Sequence, residues 1–253
     1  SGDKAEKKAR KKNKKADAAT GDEKIELPLE MMRALDITGN FKINKLKALE
    51  YKITGFHLGT MAKDGIITLD PVFMKLLDGT VDADVTVDVR KDIPRYGMKL
   101  AVDDVQAGPV VDPYLVGLQG ENDITVAGGI NLGMDVTTKG ETVNQIKQAA
   151  KGKIRLDMLE TQVANFDPAY YVRSTVAEYV DEIGFGKSGT IMGDFEPREV
   201  TVFDSITGTI KLADGKAKTN NFLMDSKRVD IGASGHVDIM KNTTDMTASI
   251  TMP

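Results

Sequence analysis

The most suggestive chemical motif in the sequence is a glycine-rich loop, Gly184-Phe185-Gly186-Lys187-Ser188-Gly189. It fits the G-x-G-x-x-G pattern and contains the Gly-Lys-Ser of a phosphate-binding loop. In both motifs a strand delivers the loop and a helix follows it, so that backbone N–H groups point at the phosphate. Here a predicted helix precedes the loop, and Glu196-Pro197 follows soon after it. We therefore predict a helix end and a loop, and no nucleotide cofactor.

Histidines, cysteines and carboxylates offer no stronger candidate for catalysis. His57 and His236 are the only imidazoles, neither has a companion at metal-ligand spacing, and cysteine is absent. The acidic residues fall in turns or on polar faces, where no apolar environment would separate the pKa values of a carboxylate pair. The sequence predicts no enzyme, no metal site and no cofactor.

The strands show a strict alternation of apolar and polar residues, which is longest between Asp123 and Thr137. A period of two places one set of side chains on an apolar face and the other on a polar face. As one strand, at about 3.3 Å per residue, this stretch would extend roughly 45 Å. Its apolar residues are Ile124, Val126, Ile130, Leu132, Met134 and Val136.

Alternation recurs along the rest of the chain and predicts a mainly β fold. It includes Thr80–Val89, with Val85 and Val87 on the apolar side, and the sets Tyr96/Met98/Leu100/Val102, Ile154/Leu156/Met158, Val202/Ile206/Ile210/Leu212, Val229/Ile231/Ala233/Val237/Ile239 and Met246/Ala248/Ile250/Met252. Asp-Gly pairs at Asp64, Asp78 and Asp214 suit tight hairpin turns. We predict an extended, curved antiparallel sheet, a meander shaped like a groove or half-pipe.

Three segments predict short helices packed at the face or ends of this sheet. They are Leu29–Leu35 after Pro28, Glu141–Lys151 closed by Gly152, and Asp167–Ile183 closed by Gly184. In the last, Asp167 is the predicted N-cap. Its apolar residues recur at helical spacing and are expected to cap the end of the sheet: Val172, Val176, Tyr179, Val180 and Ile183.

A weak internal repeat relates positions 150 residues apart. Asp64-Gly65 matches Asp214-Gly215, and Val87-Asp88 matches Val237-Asp238. Met74/Met224 and Ala83/Ala233 match in the same register. A duplicated hairpin unit explains these identities; the alternative is chance similarity between β segments.

Charge divides the chain into a basic linker, residues 1–24, and a β-rich domain, residues 25–253. Residues 1–15 hold eight Lys and Arg against two acidic residues, whereas the whole chain has a net charge of −4. The linker is expected to be a disordered solubilising tether or an arm attracted to an anionic membrane. The acidic remainder argues against nucleic acid as a partner. No stretch is apolar enough to span a membrane, and the chain begins at Ser1, so we expect any anchor or export signal to lie upstream of this sequence.

An ordered series of short motifs resembles the C-terminal region of the AsmA family. The series contains Leu27-Pro28-Leu29-Glu30-Met31-Met32-Arg33-Ala34-Leu35, then Ala62-Lys63-Asp64-Gly65-Ile66-Ile67, Leu77-Asp78-Gly79-Thr80, Asp92-Ile93-Pro94-Arg95-Tyr96 and Gly235-His236-Val237-Asp238. The likeness covers about residues 27–251 and departs from the family pattern at 160–187. It implies a periplasmic domain, anchored to the inner membrane of a Gram-negative bacterium by a segment absent from this chain. It also implies a role in outer-membrane biogenesis, with larger relatives that carry phospholipid in β-grooves.

The resemblance and the apolar face together lead to two functional hypotheses. In the first, a non-enzymatic groove shields phospholipid acyl chains, with candidate lipid-binding residues Val85, Val87, Ile124, Val126, Ile130, Leu132, Met134 and Val136. In the second, a structural or assembly domain binds other envelope proteins by strand addition at a sheet edge. Alternation alone does not reveal whether the apolar face is an open groove or an ordinary core covered by helices and a second layer.

Overall fold

Twelve antiparallel strands form a single sheet, and short helices lie in the connections between them. The computed structural model describes residues 22–48, 51–116, 123–184 and 188–252. Nearly all of the predicted basic linker lies outside the described residues. The strands are β1 (Ile37–Ala48), β2 (Tyr51–Lys63), β3 (Ile66–Leu76), β4 (Gly79–Asp88), β5 (Arg95–Gln106), β6 (Thr125–Ala127), β7 (Gly129–Lys139), β8 (Lys151–Ala164), β9 (Val200–Ala213), β10 (Lys216–Asp225), β11 (Asp230–Asp238) and β12 (Thr243–Thr251). The predicted mainly β meander is confirmed.

The order of the strands in the sheet follows their order in the chain. Each strand pairs with the one before and the one after it, except that β7 follows β5 and the short β6 pairs with β8. Within the described residues, strands β1 and β12 each have one neighbour, so this sheet is not closed. Because hairpins connect most neighbouring strands, sequence-local alternation accounts for most of this topology; the connections after β5, β7 and β8 contain helices.

The described residues contain five short helices and one 3₁₀ turn. They are α1 (Leu29–Arg33), α2 (Gly108–Val111), α3 (Val143–Ala149), α4 (Pro168–Glu182), α5 (Ser188–Met192) and the 3₁₀ turn Asp112–Tyr114. The three predicted helices are confirmed. Helix α3, however, stops at Ala149 instead of continuing to Lys151, because Lys151 already pairs with Thr137 as the first residue of β8. Helix α4 begins after its predicted cap, where the Asp167 carboxylate accepts a hydrogen bond from Tyr170 N at 3.0 Å.

The prediction of one uninterrupted strand over residues 123–137 is wrong. The stretch is two strands, β6 and β7, separated by Gly128 with a φ of +137°. Only glycine adopts this backbone conformation readily, and Gly128 O also accepts a hydrogen bond from Ala107 N at 2.8 Å. The predicted alternation survives the break: Ile124 and Ile130 are both buried, whereas Thr125 and Asp135 are exposed.

The prediction that the apolar stripe of α4 caps the sheet is also wrong. Val176, Tyr179 and Ile183 are exposed, and the buried residues of this helix are Pro168, Ala169 and Ala177. The helix is attached through its N-terminal end. The buried Asp167 carboxylate pairs with the guanidinium of Arg228 at 3.1 Å. That guanidinium also stacks on the ring of Phe195, 3.9 Å from its centroid. These polar contacts attach the N-terminal end of α4, and most residues of its apolar stripe remain exposed.

A small core lies where α2 and the start of α4 meet the central strands. Its buried residues are Ala107, Ile124, Ile130, Met158, Val163, Phe203 and Ile206, and Val111, Leu115 and Phe166 pack against them. The predicted face of β9 is wrong at one end: Val202 is 49% exposed and Phe203 is fully buried. Alternation shifts by one residue in β8 and β9 at the same level, where Glu160 has a φ of +48° and faces no partner in the ladder.

The internal repeat reappears in the geometry of the two halves. The turn after β2 has φ values of +50° and +74° at Asp64 and Gly65, and the turn after β9 has +51° and +71° at Asp214 and Gly215. In the first half, Gly65 O accepts a hydrogen bond from Val89 N at 2.8 Å. In the second half, Gly215 O accepts one from Ile239 N at 2.9 Å. Both inner strands, β3 and β10, carry a register irregularity at equivalent positions. The hypothesis of a duplicated hairpin unit is therefore supported.

Candidate functional site

Apolar side chains form a continuous surface on one side of the sheet. Residues directly opposite each other in neighbouring strands share a side of the sheet, so a row of partners crosses it. From β1 to β12 this row is Phe41, Leu58, Val72, Ala83, Leu100, Met134, Ile154, Ile210, Thr219, Gly235 and Met246. At about 4.8 Å per strand the row is roughly 48 Å wide. We call the side of the sheet that carries this row the apolar face.

Most of the apolar face has no second layer over it. Phe41 is 56% exposed and Met98 is 39% exposed, and Met246 and Ile250 on β12 are exposed as well. Among the described residues, α2 contacts β6 and α3 contacts β7, and Tyr51 of β2 donates a hydrogen bond to Pro109 O of α2 at 2.9 Å. Exposed apolar surface of this extent is unusual in a monomeric soluble protein and indicates a surface that binds something.

Helix α3 lies over one end of the apolar face. Thr138 of β7 donates a hydrogen bond from Oγ1 to Ile146 O at 2.6 Å. Tyr96 of β5, beside it on the same side of the sheet, has its hydroxyl 3.4 Å from Gly140 O. Burial raises the pKa of Tyr96. The core closes the opposite end of the central strands, so the exposed part of the face lies between the core and α3 and extends toward β1 and β12.

The structure divides the eight predicted lipid-binding residues into two groups of four. Ile124 and Ile130 are buried in the core, and Val126 and Leu132 pack against it. Protein covers Ile124 and Ile130, whereas Val126 and Leu132 are half-buried at the margin of the core. The other four are half-buried on the uncovered part of the face: Val85, Val87, Met134 and Val136.

Several residues of the uncovered face were missed by sequence reasoning. Phe41 and Ile43 of β1 lie on this side, opposite Leu58 and Phe56 of β2. In β2, Phe56 and Leu58 follow Gly55, which has a φ of +60°. Because β2 changes register against β3 between Thr54 and His57 and again between Leu58 and Thr60, it shows no clean period of two. The apolar content of each segment is the signal that could have identified them.

The polar side of the sheet brings charged groups together without forming a recognisable catalytic site. His57 lies opposite Lys42, and His236 Nδ1 is 4.0 Å from the Asp245 carboxylate. In the part of the chain that is described, no three His, Asp or Glu side chains come close enough to hold a metal ion. A hollow of about 640 Å³ lies beside Gly133 and is lined by Asp135 and Lys153.

Asp70 and Asp88 are two of the carboxylates on or near this side whose pKa values are shifted. A side-chain hydrogen bond with Asp84 raises the pKa of Asp70. Arg90 lowers the pKa of Asp88 to about 2, through side-chain hydrogen bonds, the shorter at 2.7 Å, and a backbone N–H. The Asp88–Arg90 pair favours the charged carboxylate, whereas the proximity of Asp84 disfavours the charged form of Asp70. The Asp70–Asp84 pair is one that sequence reasoning missed, since the two residues belong to different strands.

The glycine-rich loop connects α4 and α5, and Phe185, Gly186 and Lys187 lie outside the described residues. No strand delivers it: α4 ends at Glu182 and the next helix begins at Ser188. The arrangement required of a phosphate-binding loop, strand then loop then helix, is not present here. None of the described helices is both long and apolar enough to cross a lipid bilayer.

Comparison with known proteins gives one match. The model of the AsmA family matches residues 1–222. No curated protein and no solved structure matches the chain. The family is associated with biogenesis of the cell envelope.

Proposed function

Since the chain belongs to the AsmA family, we propose that its apolar face shields the acyl chains of phospholipid during biogenesis of the outer membrane. The protein acts without catalysis, on the periplasmic side of the inner membrane, to which a segment outside this chain anchors it. One observation carries the proposal: a row of mostly aliphatic side chains crosses the sheet and remains uncovered outside the core.

The energetics of the face suit a long apolar ligand better than a small polar one. Burial of each CH₂ of an acyl chain contributes about 0.8 kcal/mol. A chain lying across the strands contacts Val85, Met98, Val136 and their neighbours, and its other side stays free for a second chain. Since the side chains offer almost no hydrogen-bond donors, the face selects for acyl length and not for a particular headgroup.

Lipid content of the purified protein tests this proposal. The protein is purified without detergent and its bound lipid is extracted and quantified by mass spectrometry. The test variant replaces two exposed face residues, Phe41→Gln with Met98→Gln. Its matched control replaces their neighbours on the polar side, Lys42→Gln with Lys99→Gln.

We expect phospholipid with the parent and the control, and at least a several-fold loss with the test variant. Both variants should retain the parent's circular dichroism spectrum, because the four positions are partly or largely exposed. A parent protein that carries no lipid, or a control that loses as much lipid as the test variant, would contradict the proposal.

A second candidate function is assembly of envelope proteins by strand addition. It is favoured by the outer edges of β1 and β12, whose backbone groups have no strand partner in the part of the chain that the structure describes. An envelope protein that binds at an edge should bind the Phe41→Gln, Met98→Gln variant as well as the parent. Loss of that binding in this variant would assign the interaction to the face instead.

A further inference from the structure

Within the internal repeat, the outer edge of β12 corresponds to the edge of β5 that pairs with β7. In the first half, β5 follows the repeated hairpin and places Met98 opposite Val85. In the second half, β12 follows it and places Met246 opposite Gly235, the residue equivalent to Val85. The other edge of β5 pairs with β7 from Arg95 to Gln106, with one irregularity between Val102 and Val105. The other edge of β12 has no partner among the described residues.

The two free edges of the sheet differ in their protection against pairing. Strand β1 carries Lys42, Lys45 and Lys47, and charged side chains, lysine above all, discourage strand addition at an edge. Strand β12 contains no Lys, Arg or Pro and one acidic residue, Asp245, and it pairs with β11 without an irregularity. Among edges of this sheet, β12 is therefore the one suited to receive a strand.

We propose that β12 pairs antiparallel with β12 of a second copy of this chain, about a two-fold axis at Thr247. This register is the one in which all nine residues of both strands find partners. It sets Ala248 opposite Met246 of the second copy. Leu100, which occupies the position of Ala248 in the first half, likewise lies opposite a methionine, Met134.

Electrostatics favour the same register. Asp245 lies opposite Ser249 of the second copy, so no like charges meet, whereas a register centred on Asp245 would bring two carboxylates together. Because opposite residues share a side of the sheet, the apolar faces of both copies lie on one side. The interface is isologous and closes as a dimer, since the β1 edge does not take part. Pairing of single edges buries little surface, and we expect a weak dimer.

Cysteine cross-linking tests the contact directly, because the chain contains no cysteine of its own. In the proposed register Thr247→Cys lies opposite itself, with Cβ atoms about 4.5–5.5 Å apart, within reach of a disulfide after small adjustment. The matched control, Lys45→Cys, places a cysteine on the other free edge. On mild oxidation we expect a covalent dimer of Thr247→Cys and little of Lys45→Cys. Equal cross-linking of the two, or none with Thr247→Cys, would overturn the proposal.

A charge exchange tests the register by sedimentation equilibrium. Ser249→Asp sets two pairs of carboxylates opposite each other and should raise the dimer dissociation constant about 2- to 30-fold. Ser249→Asn should leave it close to that of the parent. Adding Asp245→Lys to Ser249→Asp makes both pairs attractive and should restore dimerisation.

Three results of the sedimentation experiment would overturn the inference. The parent could remain monomeric up to about 1 mM, which leaves β12 to another polypeptide or to none. The dimer dissociation constant could be unchanged by the charge exchange. With delipidated protein throughout, a dimer could be lost in the Phe41→Gln, Met98→Gln variant, which would place the contact on the apolar face. Lipid content is measured separately, and its variants lie on other strands, so failure of the proposed function and failure of this inference are distinguishable.

Discussion

Two phenylalanine-to-alanine substitutions on the same side of the sheet separate a packed core from an uncovered face. Phe203 is fully buried beneath Phe166, with the two ring centroids 6.5 Å apart. Phe41 belongs to β1 and is 56% exposed. The chemistry of the change is identical at both positions, so any difference in its cost reports on what covers each ring.

The expected costs follow from burial. A fully buried Phe removes about 150–250 Å² from water, worth roughly 4–6 kcal/mol at about 25 cal/mol per Å². Measured Phe→Ala costs in cores are about 3–5 kcal/mol, and we expect Phe203→Ala to fall in that range. Phe41 loses less than half of its area to burial and leaves no enclosed cavity. Phe41→Ala should therefore cost about 1–2 kcal/mol.

Urea denaturation of delipidated protein measures both free energies of unfolding. Lipid must be removed, because a ligand that binds the native face would stabilise the parent and enlarge the cost of Phe41→Ala. A difference of at least about 2 kcal/mol between the two variants is expected. Equal costs would mean that Phe41 is covered as completely as Phe203, and the description of an uncovered face would have to be abandoned.

Three further changes test local features of the structure. Arg90→Ala should raise the pKa of Asp88 from about 2 toward its usual 3.8, measured by carboxyl NMR. Because a lowered pKa stabilises the fold above 3.8, the parent's advantage over this variant should disappear as the pH falls through about 2. Gly59→Ala should destabilise by about 1–3 kcal/mol, since its Cβ would meet a neighbouring carbonyl oxygen, whereas Gly133→Ala, with open space around it, should be neutral or stabilising in thermal melts. Asp167→Ala strands a buried guanidinium and should cost about 3–5 kcal/mol in urea titrations.

The strands could be predicted from sequence because one side of the sheet carries polar side chains that face solvent. Each strand of β4, β5 and β7 keeps a polar face, so its period of two is visible without knowledge of its neighbours. The Asp-Gly turns fix where hairpins reverse. Short helices with a clear cap and stop, such as α4, could be recognised for a similar reason. Asp167 and Gly184 mark its two ends in the sequence, and the structure uses both.

What covers each side chain could not be predicted, because it depends on contacts between distant segments. Ile130 and Val136 belong to one alternating stretch, yet only Ile130 lies beneath the connection that contains Val111. Irregular backbone also hid the correct face. Glu160 shifts the alternation of β8, and the matching shift in β9 buries Phe203 in place of Val202. No local sequence pattern indicates a positive φ at a non-glycine residue such as Glu160.

Edge pairing and lipid binding cover different parts of the same sheet, namely the β12 edge and the apolar face. Pairing through β12 satisfies the backbone groups of one edge but leaves the apolar face uncovered and doubles its extent. A bound acyl chain that crosses from Met246 to the second copy would contact both subunits, so lipid should favour the dimer by mass action. We expect the dimer dissociation constant of lipid-loaded protein to be lower than that of delipidated protein. If lipid leaves it unchanged, the ligand ends short of β12, on the strands around Met98 and Met134.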